Sequence, residues 1–361
     1  MVLSATTLAH YLLERGLIDP EGAVDGDLVI VDASSRNRNF KVIRRGQPSY
    51  FVKQAHGDPQ SIEFLQREAA CYRRAGSEPG FAALAPMVPR YHLYDPQRHL
   101  LVLALLPKGE NLAEHHRRLG SFPIPTAARL GEQIGTYHRL VTPDAGQGGP
   151  GALPCAVPWI LSSHRLAASS LHEPGRANQQ VLAIIGRYAD FHSKLDTLRE
   201  QWQCDCFIHG DMKWENCLVC PQESDTAISI IDWETADLGD ACWDVGAIFQ
   251  AYLTFWIMSI PIRNDIPPAR LLQEAAYPIE AMQPALRAFW LAYAQARQLA
   301  PDRQRETLAR STGYAAARML QTAYEYMYHS PLITPNGLAL LQVSLNILTD
   351  TKGAISDLLK L

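Results

Sequence analysis

The chain has 361 residues, 47% of them hydrophobic and 19% charged, with 24 prolines and 23 glycines. That composition excludes disordered, collagen-like and coiled-coil proteins, and the length allows roughly two structural units, each with its own core. Lys plus Arg at 33 against Asp plus Glu at 37 leave a formal charge of −4. No positive field marks nucleic acid or an anionic membrane surface as a partner.

Residues 1–19 lack the basic start and unbroken apolar run of a secretory leader. Thr6 or Thr7 is expected to cap a short amphipathic helix through Leu8, Tyr11 and Leu12 that ends near Gly16. From Gly26 to Ala55 the pattern is a meander of antiparallel strands, at 27–31, 40–43 and 50–53, separated by polar turns at Ser34 to Asn39 and Arg45 to Ser49. Ser61 to Ala75 carries Ile62, Leu65, Ala69 and Tyr72 at helical spacing. Pro86 to Pro89 breaks the chain before two further strands at 90–94 and 99–105. Beyond the connector Pro107-Lys108-Gly109 the chain is mainly helical, except for a β-rich island between Cys206 and Trp233. Strands first and helices later give an α+β chain with two lobes, 1–106 and 107–361. The apolar stretch Val245 to Ile262 contains Gln250, Thr254, Ser259 and Pro261, so it is expected to be a buried core helix and not a membrane span.

Seven cysteines (Cys71, Cys155, Cys204, Cys206, Cys217, Cys220 and Cys242) make an odd set. With no secretory segment they are expected to be reduced thiols of a cytoplasmic protein. Cys204, Cys206, Cys217 and Cys220 have a spacing that four zinc ligands could share, but alternating small hydrophobes of strands explain it with fewer assumptions. Two nucleotide motifs fail on context. Gly146-x-Gly148-x-x-Gly151 follows a helical pattern (130–140) and leads into proline, the wrong setting for a dinucleotide fingerprint, and no Gly-x-x-x-x-Gly-Lys-Ser/Thr occurs.

The most informative segment is Phe207-Ile208-His209-Gly210-Asp211-Met212-Lys213-Trp214-Glu215-Asn216-Cys217-Leu218-Val219. A hydrophobic strand enters a polar loop and leaves as another strand. A later strand, Ile228 to Ile231, ends in Asp232-Trp233-Glu234. Phosphoryl transfer needs one carboxylate to orient a hydroxyl and accept its proton. It also needs a second carboxylate and an amide oxygen to hold the cations that bridge nucleotide phosphates. Asp211 with Asn216 five positions later, followed by a strand-terminal Asp232, presents that inventory in the right order.

On these residues the chain resembles the aminoglycoside phosphotransferase and choline kinase-like family, relatives of the protein kinases. The resemblance implies a bilobal protein-kinase-like fold with an antiparallel-sheet N-lobe and a helical C-lobe. The latter would carry a catalytic loop at 207–219 and a metal-binding segment at 228–246. It implies ATP and Mg²⁺ as cofactors, Asp211 as catalytic base, Asn216 and Asp232 as metal ligands, and a bracing role for His209. Lys53 would be the strand lysine that meets the nucleotide phosphates and Glu68 its helix partner. The glycine-rich phosphate cover is absent. Ser34, Ser35 and Asn37 would cradle phosphate in its place, with Arg36 or Arg38 adding charge. Ala104 and Leu106 of the connector would meet adenine through the backbone. Asp240 and Asp244 would accept backbone N–H groups of the catalytic loop. Only twelve positions separate Asp232 from Asp244, too few for the activation segment of a regulated protein kinase.

Lys213, two residues after the base, stands where Ser/Thr protein kinases carry lysine and would stabilise the moving phosphoryl group. The segments Lys213-Trp214-Glu215-Asn216, Asp232-Trp233-Glu234 and Trp243-Asp244-Val245-Gly246 are similar to phosphotransferases of lanthipeptide and thioamitide biosynthesis. That similarity implies a Ser/Thr hydroxyl of a precursor peptide as acceptor and a lyase-type partner protein. An aminoglycoside, another antibiotic or choline is the alternative acceptor, and a silent pseudokinase serving as a binding module is the alternative of another class. The complete set Lys53, Asp211, Asn216 and Asp232 favours an active enzyme.

Overall fold

The computed structural model describes residues 3–21, 26–34, 37–106, 108–142, 153–165, 175–221, 226–261, 272–328 and 330–361. The chain divides into two compact units. The first comprises 1–112, 140–153 and 216–236, and the second 113–139, 154–215 and 237–361. The helical lobe expected beyond residue 107 is therefore interrupted, because 216–236 belongs to the first unit.

The first unit is built on a five-stranded antiparallel sheet. Its strands are β1 (Leu28–Asp32), β2 (Arg38–Arg44), β3 (Tyr50–Gln54), β4 (Tyr91–Asp95) and β5 (Leu100–Ala104), in the order β1-β2-β3-β5-β4. Alternation sends Phe40, Val42, Tyr50, Val52, Leu100 and Val102 to one face, where α1 (Ala5–Glu14) covers them with Leu8, Tyr11 and Leu12. The cap of α1 is Ser4 and not Thr6 or Thr7. The Ser4 hydroxyl accepts the Thr7 N–H, and the Thr7 hydroxyl accepts the Ser4 N–H in return, a reciprocal capping box. Helix α2 (Pro59–Ser77) starts two residues before the sequence expectation, because Asp58 caps it through the Ser61 N–H and Pro59 suits its first turn. A two-residue strand β6 (Glu110–Asn111) joins β8 (Cys217–Pro221) and β9 (Thr226–Ile230) in a small antiparallel sheet. This pairing draws 216–236 into the first unit.

The second unit is mainly helical. Helix α7 (Ala241–Met258) is buried along nearly its whole length, so its all-round apolarity belongs to a core helix. Among the described residues no helix is long and apolar enough to cross a membrane. Helix α9 (Pro301–Tyr326) packs directly on α7. At Gly246 a Cβ would sit 2.6 Å from the Ser311 carbonyl oxygen, so only glycine allows the two backbones this approach. The unit also holds α3 (Leu112–Leu119), α4 (Ile124–Leu140), α5 (Arg176–Arg187), α6 (Ala189–Glu200), α8 (Ile279–Arg297) and α10 (Pro335–Thr349). Strands β7 (Cys206–Ile208) and β10 (Asp237–Gly239) pair antiparallel and flank residues 209–236 in sequence.

The cysteines depart from expectation at one place. Cys155 and Cys204, 49 residues apart in sequence, lie with Cα atoms 5.7 Å apart and are joined as a disulfide. Sequence spacing alone does not reveal such a pair, because the fold brings the two together. Cys71, Cys206, Cys217, Cys220 and Cys242 are free thiols. With Cys204 bonded to Cys155, the four-cysteine zinc reading has no support.

Candidate active site

In the first unit a single lysine gathers three carboxylates. Strand β3 carries Lys53 to a buried position, where its Nζ lies 2.7 Å from Glu68 Oε2 of α2, 2.5 Å from Asp232 Oδ1 and 3.3 Å from Glu234 Oε2. Burial alone would favour a neutral amine, but the three carboxylates outweigh it and hold Lys53 protonated. Burial pushes the Glu68 carboxyl up to about 7 against the pull of Lys53. The Tyr72 hydroxyl, one helical turn on from Glu68, donates to Glu68 Oε1 at 3.4 Å and accepts the Asp232 N–H at 3.1 Å, tying α2 to the end of the β9 segment. Asp232 sits in the left-handed region with φ 68°, a conformation that Asp tolerates better than most residues. Buried Asn216 is brought beside it through the backbone, since its carbonyl accepts the Ile231 N–H at 2.9 Å.

Among the described residues, Glu68, Asp232 and Glu234 are the one group of three acidic, His or Cys side chains whose ligand atoms converge, within 4.8 Å of one another. Glu234 has no role in the sequence reading. Its signal was its place two residues after Asp232 beyond a strand end.

On the sheet face that carries Lys53, Asn39 stands opposite it and an apolar patch lies farther out on β1 and β2. By register, Val29 of β1 opposes Ile43 of β2, and Val31 opposes Lys41, which opposes Phe51 of β3. Val29, Val31 and Ile43 are exposed. In the connector, the Ala104 N–H donates to the Arg90 carbonyl and the Leu105 N–H to the Ser49 carbonyl. The Leu106 N–H has no hydrogen-bond partner among the described residues.

The loop after β1 is less open than expected. Ser34 closes the turn, its hydroxyl accepting the Asn39 N–H and its own N–H donating to Asp32. Arg38 donates to the Leu3 carbonyl, away from a phosphate-binding role. Asn37 is half-buried, while Ser35 and Arg36 lie outside the described residues.

In the second unit the chain leaves β7 through a turn that places Gly210 at φ 82°, where a side chain would be strained. Buried Asp244, at the start of α7, accepts the His209 N–H at 2.7 Å and the Gly210 N–H at 3.0 Å. It also takes the Tyr137 hydroxyl at 2.6 Å. Burial alone would raise the Asp244 carboxyl, but hydrogen bonds from His138 and Tyr137 hold it down to about 2. His209 is fully buried and its Nδ1 accepts the Asp211 N–H at 3.3 Å, bracing the loop. Asp240 differs from expectation: it caps α7 through the Cys242 N–H and takes the Tyr314 hydroxyl and Arg310.

Asp211 itself is half-buried and meets two cations. Lys213 Nζ lies 2.6 Å from its Oδ2, and Arg318 Nη2 of α9 lies 3.3 Å from its Oδ1. Burial would raise its carboxyl, but the Lys213 ammonium and the Arg318 guanidinium outweigh that and hold it below the usual range. Arg318 is absent from the sequence reading, because 107 residues separate it from Asp211 and no local pattern marks it.

Asp211, Lys213 and Arg318 line one end of a cavity of about 310 Å³ within the second unit. Gln250 of α7 donates to Thr254 and Thr322 on its floor. Trp214 and Phe255 form an apolar wall, and the Arg117 guanidinium lies 5.4 Å over the Phe255 ring. Glu215, Glu325 and Tyr326 are exposed at the rim.

Residues 27–289 match the phosphotransferase enzyme family, and the chain belongs to it. No curated protein sequence matches. Among solved structures, the ethanolamine kinase of Plasmodium vivax is similar at TM-score 0.57 and 12% identity, covering 94% of this chain and 89% of its own. Amicoumacin kinase hAmiN, solved with AMP-PNP, Ca²⁺ and its antibiotic, gives 0.55 and 13%, covering 95% and 93%. Choline kinase LicA from Streptococcus pneumoniae gives 0.51 and 13%, covering 93% and 99%. At these identities the likeness is one of fold: the α+β kinase-like arrangement expected from the sequence.

Proposed function

We propose that this phosphotransferase moves the γ-phosphoryl group of ATP, held with Mg²⁺ by the first unit, to an alcohol hydroxyl held by the second. The acceptor we favour is a Ser or Thr hydroxyl of a precursor peptide, whose phosphate a lyase-type partner then eliminates. The observation that carries the reaction is Asp211. It is a carboxylate kept ionised by two cations, on a loop pinned by Asp244, at the end of a cavity large enough for an alcohol-bearing group.

The first unit fits its share of the work. Asp232, Glu234 and the Asn216 amide are oxygen donors, which suit a hard divalent cation. Lys53 would meet the phosphates, the exposed Val29, Val31 and Ile43 would cover the base, and the Leu106 N–H would donate to it. When bound, the nucleotide with its cation supplies the phosphoryl group and neutralises the charge on its oxygens. Asp211 orients the hydroxyl and takes its proton as the new O–P bond forms and ADP leaves. Lys213 stabilises the charge of the transferring group.

Lys213 on Asp211 supports the peptide acceptor, since Ser/Thr protein kinases keep a lysine there. The second reading is a small-molecule alcohol, favoured by a cavity of about 310 Å³ and by neighbours whose names record ethanolamine, amicoumacin and choline kinases. The test is incubation with MgATP and either a Ser/Thr-containing precursor peptide or a panel of aminoglycosides, choline and ethanolamine. We expect a mass gain of one phosphate on the peptide. Gain on a small molecule alone overturns the acceptor and leaves the phosphotransferase reading intact.

A further inference from the structure

Arg318 is an expensive residue in its position. It is 5% exposed, its Nη1 donates to the Gly210 carbonyl at 3.3 Å and its Nη2 to Asp211 Oδ1 at 3.3 Å, while its buried Nε has no partner among the described residues. The guanidinium stacks 4.8 Å over Trp243, whose indole N–H donates to the same Gly210 carbonyl at 2.8 Å. A buried cation with an unsatisfied donor costs desolvation free energy that an apolar side chain of similar size would not. Fold stability therefore does not account for an arginine here.

We infer that Arg318 is a positioning residue for phosphoryl transfer, fixing the Asp211 carboxylate from outside the catalytic loop. The inference rests on the proposed role of Asp211. Both carboxylate oxygens are engaged, but by unequal partners. Lys213, on Oδ2, is 40% exposed and reaches it on a four-carbon stem that can turn toward another anion. Arg318, on Oδ1, is buried, stacked and bonded to the adjacent carbonyl, so it stays. Release of Lys213 then opens Oδ2 toward the acceptor while Arg318 keeps the carboxylate plane in place. The proton passes from the hydroxyl to Oδ2, the acceptor oxygen bonds to phosphorus, and the bond to the ADP leaving group breaks.

The test compares Arg318→Met, Arg318→Lys, Arg318→Ala and Asp211→Asn, each shown folded by thermal unfolding. Displacing a base by a fraction of its reach lowers turnover on the order of 30- to 100-fold, so Arg318→Met is expected to lose that much kcat with acceptor KM and MgATP affinity within about twofold. Arg318→Lys, with one ammonium for two acceptors, is expected to lose about tenfold. Added guanidinium ion restores part of the kcat of Arg318→Ala and none of that of Asp211→Asn, and the Asp211→Asn/Arg318→Met double variant is no slower than Asp211→Asn. If kcat of Arg318→Met stays within about threefold of the parent while Asp211→Asn is inactive, the inference fails and the proposed function stands. Near-normal turnover by Asp211→Asn overturns both.

Discussion

Lys53 Nζ and Asp232 Oδ1 lie 2.5 Å apart although 179 residues separate them in sequence. The pair joins β3 to the segment after β9, and it helps to hold residues 216–236 in the first unit although 113–139 and 154–215 belong to the second. The same ammonium also meets Glu68 and Glu234, so one strand lysine faces three acids.

Lys53→Met is expected to lower stability by ~3 kcal/mol, because it leaves the Glu68 carboxylate buried without a counter-charge. Adding Glu68→Gln should recover most of the loss. Urea unfolding of the single and double variants measures this, and equal midpoints for the two would show that the pair is not coupled.

Asp211→Asn keeps the size of the side chain and one of its two acceptor oxygens but removes its charge and its capacity to take a proton. Turnover is expected to fall at least about a hundredfold with nucleotide binding retained. Steady-state kinetics beside nucleotide titration check it.

Asp232→Ala and Asn216→Ala each remove an oxygen from the proposed cation site. Asp232→Ala should weaken MgATP binding more, since it also removes a negative charge. Calorimetric titration distinguishes them, and unchanged affinity in Asp232→Ala would place the cation elsewhere.

His116 supplies an acid-sensitive element of the second unit. Burial lowers its pKa from 6.5 to about 4, against the pull of the Ser121 carbonyl on its Nδ1 at 3.2 Å. Its Nε2 has no partner among the described residues, between Trp214 and Phe122. The unfolded chain therefore binds more protons than the fold between those two pH values. Stability conferred by the neutral ring is full above about pH 6.5 and falls as pH drops toward 4, by ~3 kcal/mol at most. Denaturant melts of the parent should lose more stability from pH 7.5 to pH 5 than those of His116→Phe. Parallel losses would remove His116 from the account.

The amino-acid sequence by itself determined the elements and the chemistry that lie close together along the chain. Alternating apolar residues specify the antiparallel sheet, because a strand presents every second residue to one face, and helical spacing specifies α2 and the core helix α7. Asp211, Lys213 and Asn216 stand out as candidates for the same reason: they are close in sequence, between two strands. Even at short range the cap of α1 is not encoded by residue type, since Ser4, Thr6 and Thr7 are all competent and only the backbone path selects Ser4. What the tertiary structure decided were the partners from afar: Glu234 as a third acid on Lys53, Arg318 on Asp211, Asp240 turned from the loop to cap α7, and Cys155 joined to Cys204. Each of these depends on how separate elements pack, a long-range outcome of burial and close approach such as that at Gly246, which no local period or spacing encodes.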